Sequence, residues 1–117
     1  MTQTELDALI QEIDRAKKAG GKNVTAKINL SNGKEYTIAL NEDGSWPGKR
    51  KPSVVGDSLV FVEKQSEIAD NRTATNYEQT FRNVARIVPL DLVADTFVEY
   101  DVVVSTPLPS EPEQTTE

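Results

Sequence analysis

The chain has 117 residues, 37% of them hydrophobic, enough for one domain with a modest core. It contains no cysteine and no histidine, which removes disulfide frameworks, thiolate and Ser-His-Asp nucleophiles, most zinc sites and the usual neutral-pH general base. The formal charge of −6 is uneven: through Val88 there are 13 Lys and Arg against 12 Asp and Glu, whereas from Pro89 onward there are seven acids and no base.

No run approaches the ~18 apolar residues of a membrane span, and the N-terminal stretch lacks the charged, apolar and small-residue pattern of a secretory signal. Cytoplasmic residence, with no membrane partner, is the expectation. Residues 4–19 read as an amphipathic helix, since Leu6, Leu9, Ile10, Ile13 and Ala16 share one stripe. Thr4 is the expected N-cap, and Gly20-Gly21 the expected stop.

Residues 24–40 are the clearest strand pair. Two alternating segments flank Asn32-Gly33, a strong hairpin signal that predicts a two-residue type I′ turn. Val24, Ala26, Ile28 and Leu30 are expected on one face with Tyr36, Ile38 and Leu40.

Residues 41–53 are rich in breakers and read as a loop. This loop holds the only tryptophan, Trp46, and the only three-residue basic run, Lys49-Arg50-Lys51. An aromatic beside clustered cations suits single-stranded nucleic acid, through base stacking and phosphate contact. The plainer alternative is that Trp46 folds back as a loop anchor and the cations are merely solvated.

Residues 58–64 predict a strand that is apolar on both faces and therefore central. Residues 65–79 are polar and without period, and read as a long excursion between strands. Glu67, Asp70 and Glu78 lie there without the spacing of a calcium loop. A further strand is expected over residues 81–88, ended by Pro89, then one 3₁₀ turn over residues 89–94 and a last strand over residues 95–104. Residues 105–117, with three prolines and three glutamates, are expected to form a disordered acidic tail beyond a single domain spanning residues 1–104.

Taken together, the elements predict a mainly β fold: a small, strongly bent, five-stranded antiparallel barrel with an N-terminal helix. On residues 6–19, 24–33, 59–63 and 86–93 the chain resembles the Sm-like family, including the bacterial host-factor RNA chaperone, and it shares its outline with SH3-like barrels. The resemblance implies a ring-shaped homo-oligomer in which the fourth and fifth strands of neighbours pair edge to edge, and an RNA-binding pore. The Lys-His pair of the host-factor chaperone is absent here, its place taken by residues 87–90.

The functional expectation is a non-enzymatic binding or assembly module that self-associates through strand edges, with Phe97, Val98, Tyr100, Val102 and Val103 at the interface. The alternative is binding of RNA or single-stranded DNA through Trp46, Lys49, Arg50 and Lys51. A small inhibitor or a phage or mobile-element accessory protein has the same residue profile. No catalytic residue, metal ligand or cofactor is assigned.

Overall fold

The computed structural model describes residues 1–109. Helix α1 (Gln3–Lys18) opens on a capping box: Thr2 Oγ1 accepts from the Glu5 N–H at 3.1 Å, and Glu5 Oε1 accepts from the Thr2 N–H at 2.8 Å. The cap is therefore Thr2 and not Thr4, because Glu5 completes the reciprocal pair that Asp7 would leave unmade. At the other end Gly20 takes φ +77°, its N–H donates to the Lys17 carbonyl, and the Gly21 N–H donates to the Ala16 carbonyl. This double closure stops the helix and starts the first strand.

Six strands follow: β1 (Lys22–Leu30), β2 (Glu35–Ala39), β3 (Ser53–Val55), β4 (Ser58–Arg72), β5 (Tyr77–Pro89) and β6 (Val93–Asp101). They form two three-stranded antiparallel sheets, ordered β2-β1-β6 and β3-β4-β5. The mainly β class with a leading helix is as expected, and so is a 3₁₀ turn at Leu90–Leu92. The five-stranded barrel is not. There are six strands, and β2 lies beside β4 without a hydrogen-bonded ladder between them, so the sheets do not close on each other.

The β1–β2 hairpin corrects the turn and keeps the face. Ile28 stands opposite Tyr36 and Ala26 opposite Ile38, a register that requires the three-residue connection Ser31-Asn32-Gly33. Gly33 alone is left-handed, at φ +89°, and Asn32 accepts the Lys34 N–H at 3.0 Å. A two-residue turn would shift the register by one and rotate the β2 apolar residues away from those of β1. The longer turn, ending on a left-handed glycine, brings both sets together.

One core joins the layers. Leu6, Leu9, Ile13 and Ala16 of α1 meet Val24, Ala26, Ile28 and Leu30 of β1, Ile38 of β2, Leu59 and Phe61 of β4, and Val88 of β5. Phe61 is fully buried, and its ring meets that of Tyr36 at 6.2 Å between centroids. Among the described residues, no helix is long and apolar enough to cross a membrane.

The largest departure from expectation is at residues 65–79. They form the outer half of a β4–β5 ribbon whose pairing continues to Arg72 opposite Tyr77, turned by residues 73–76. Within the turn, the Asn76 N–H donates to Thr73 Oγ1 at 2.9 Å. Two register shifts interrupt the ladder, between Val62 and Gln65 and between Glu67 and Ala69, each adding one residue to β4 alone. Such bulges bend and twist a strand. The first lies where the ribbon leaves the body. From Gln65 to Arg72 the ribbon runs about 23 Å at the usual strand rise. The described chain is accordingly long, 75 × 48 × 23 Å, with a radius of gyration of 20.3 Å against about 13 Å for a compact chain of this length.

Candidate functional site

Four strands are bonded on one side only, β2 and β6 in one sheet and β3 and β5 in the other, and β5 and β6 are the two that also bear exposed large apolar side chains along most of their length. β5 is bonded only to β4 and β6 only to β1, so each presents a row of unpaired backbone groups on its outer side. The β5 edge exposes Phe81, Val84 and Ile87, the last 72% accessible. The β6 edge exposes Phe97 and Tyr100, and the residues beyond it expose Val102 and Val103, the latter 80% accessible. Of the residues assigned to an interface from sequence, Val98 alone turns inward. It stands opposite Ala26 and packs on the core.

The two edges differ in charge. β5 carries Arg82 and Arg86 against Glu78, whereas β6 carries Asp95, Glu99 and Asp101 and no base. Arg86 is held on the body: its Nε donates to Glu63 Oε2 at 2.8 Å, and its guanidinium lies 5.0 Å from the centre of the Tyr36 ring. Arg82 makes no ion pair among the described residues. At the ribbon tip the Arg72 guanidinium covers Tyr77 at 4.2 Å, and Tyr77 Oη donates to Asp70 Oδ2 at 3.2 Å. Desolvation under that cover raises the Tyr77 hydroxyl above its ordinary value.

The basic loop is built differently. Trp46 is half-buried against the core and Pro47 beside it is fully buried, so the ring anchors the loop. Asn41 ties the segment down, its Nδ2 donating to Ser45 Oγ at 3.0 Å and to the Trp46 carbonyl at 3.4 Å. Asp43 accepts from Ser45 through both hydroxyl and backbone N–H, which holds its carboxyl below the usual range. Pro47–Lys49 make one 3₁₀ turn, after which Lys49, Arg50 and Lys51 project into solvent. None of the three forms an ion pair among the described residues.

A surface recess of about 580 Å³ lies at the α1–β1 corner and is lined by Lys17, Asn23, Glu42 and Asp43 among others. Among the described residues, no three carboxylates converge as a metal site would require. Glu67, Asp70 and Glu78 instead lie along the ribbon, where Glu67 and Glu78 accept from Gln79 and Asn76.

What sequence reasoning missed is the outer part of β5, which starts at Tyr77 and not at Phe81. The segment Tyr77-Glu-Gln-Thr-Phe81 does alternate Tyr, Gln and Phe on one face and contains three strand-favouring residues, a signal masked by its polar partners. No protein-family model, curated protein or solved structure matches the chain.

Proposed function

We propose that the chain is a non-catalytic assembly module whose copies join edge to edge, β5 of one on β6 of the next. The observation that carries this is that two of the ladder-free edges, β5 and β6, lie on different sheets, are opposite in net charge and each bear exposed apolar side chains. Pairing β6 with β6 would align two rows of carboxylates, whereas β5 with β6 sets Arg82 among them. Such a contact uses two different surfaces, so it propagates and either closes into a ring or runs on as a filament.

Light scattering after size exclusion, over a concentration series, tests it. The expected result is mass rising well above one chain. Ile87→Asp and Phe97→Asp should each abolish large assemblies. An equimolar mixture of the two should recover only pairs, since one intact edge remains on each. A strict monomer at every concentration overturns the proposal.

A second reading has its own observation, the three adjacent exposed and unpaired cations at Lys49, Arg50 and Lys51. It makes the loop a contact for RNA or single-stranded DNA, strengthened when several copies present it together. Three phosphate contacts per chain give a salt slope of roughly −2. A mobility shift with a mixed oligonucleotide pool at low salt, lost in the triple alanine variant, is the expected result. No shift removes this reading.

A further inference from the structure

The edge pairing proposed above leaves the ribbon unaccounted for. β5 is 13 residues long and β6 only nine, so a neighbour's β6 falls four residues short of covering β5. The four residues that follow β6 are Val102, Val103, Val104 and Ser105, and Pro107 stands two positions further on. Val102 to Val104 carry no secondary structure and are exposed, Val104 to 81%. Three consecutive valines favour a strand strongly, and here they have no neighbour. Pro107 cannot donate to a ladder, so it sets an end to any strand running through them.

Direction decides where these residues would fall. If β6 lies antiparallel to the neighbour's β5, Val93 meets the Pro89 end and residues 102–105 run beside residues 77–80, at the ribbon's outer end. In the parallel arrangement they would run past the body, away from the ribbon. The ribbon has a reason to take a third strand, because a two-stranded ribbon is marginal in water and gains from another strand and the apolar cover it brings. Its outer half exposes Ile68, Tyr77 and Phe81.

We infer that residues 102–105 of one copy continue β6 as a strand on the β5 edge of a second copy's ribbon, antiparallel to it and ending before Pro107. The inference rests on the edge-to-edge reading and adds its direction, its length and the occupant of the ribbon. The arrangement also leaves the charges compatible: residues 102–109 carry none, so they add no repulsion to Glu78, while Asp95, Glu99 and Asp101 stay beside the half of β5 that holds Arg82 and Arg86.

The absence of cysteine makes a cross-linking test clean. Four full-length single variants are made, Ile87→Cys and Asp95→Cys for the body, Gln79→Cys and Val103→Cys for the ribbon, all at exposed positions. They are mixed in pairs under assembling conditions and treated with a short bis-maleimide. A covalent dimer from Gln79→Cys with Val103→Cys, well above that from Gln79→Cys with Asp95→Cys, is the expected result. If Ile87→Cys links to Asp95→Cys but Gln79→Cys does not link to Val103→Cys, edge pairing stands and the ribbon inference is wrong. If neither pair links, both readings fail. Val103→Pro, which lies outside every ladder of the single chain, should weaken assembly roughly tenfold by removing ladder hydrogen bonds, with unfolding of the single chain unchanged. Unaltered assembly in that variant overturns the inference.

Discussion

The two halves of β4 obey different rules. From Leu59 to Val62 both faces are buried, one under α1 and the β1–β2 hairpin, the other under the Trp46 loop, and hydrophobic burial holds the segment. From Glu67 to Arg72 the same strand keeps its hydrogen-bonded partner but every residue is exposed, and only cross-strand pairs such as Arg72 with Tyr77 cover it. A ladder can thus outrun the core that anchors it, and what it gains beyond the core is reach.

The sharpest break in this comparison is Phe61→Ala. It should cost about 3–5 kcal/mol, read as a lower urea midpoint, while Ile68→Ala on the outer half should stay within about 0.5 kcal/mol. Equal effects would mean that the ribbon is packed on something in the single chain. Trp46→Ala comes next, at about 1–2 kcal/mol for a half-buried ring, against less than about 0.5 kcal/mol for Lys49, Arg50 and Lys51 together to alanine. The reverse order would make Trp46 a binding group and not an anchor.

Thr2→Ala should cost about 1 kcal/mol by opening the cap of α1. Its pH dependence sharpens the point. Glu5 is held below its ordinary value of 4.5, first by the Thr2 N–H and then by the Thr2 side chain. A depressed carboxyl contributes stability that is present above pH 4.5 and fades as the pH falls through its folded value. Acid unfolding followed by circular dichroism should therefore lose, in Thr2→Ala, part of the slope below pH 4.5. A small effect on the body is also expected from excising residues 66–82 and closing the gap between Gln65 and Asn83 with a tight turn. Unfolding of the single chain should move by less than about 1 kcal/mol, although assembly through the ribbon is lost.

Where burial leaves a pattern, the sequence was legible. The α1 stripe and the shared face of β1 and β2 follow from the period of their apolar residues, the start of β4 from an unbroken apolar run, and the 3₁₀ turn at Leu90–Leu92 from a short apolar segment opened by Pro89. The ribbon left no such trace, because a strand exposed on both faces has no reason to alternate, and Gln65 to Gln79 therefore looked like a loop. The turn at Ser31-Asn32-Gly33 misled for another reason. Asn-Gly serves both two- and three-residue connections, and only the demand that Tyr36, Ile38 and Leu40 face the core separates them. Closure was also overread, since strand pattern alone does not say whether β2 and β4 bond or merely touch. Of the candidate site, the apolar run from Phe97 to Val103 and the β5 strand from Phe81 were visible, and the extension of β5 out to Tyr77 was not. Residues 110–117 of the expected acidic tail lie outside the described residues.

The surplus residues in β4 have a mechanical meaning. Each is carried by one strand of the ribbon only, so together they act as a hinge setting, fixing the bearing on which the outer segment departs from the body. Deleting Lys64 would flatten the first of them and swing the far tip onto a new heading while the interior kept its shape. In an assembly, that single residue would change where each copy reaches for its neighbour.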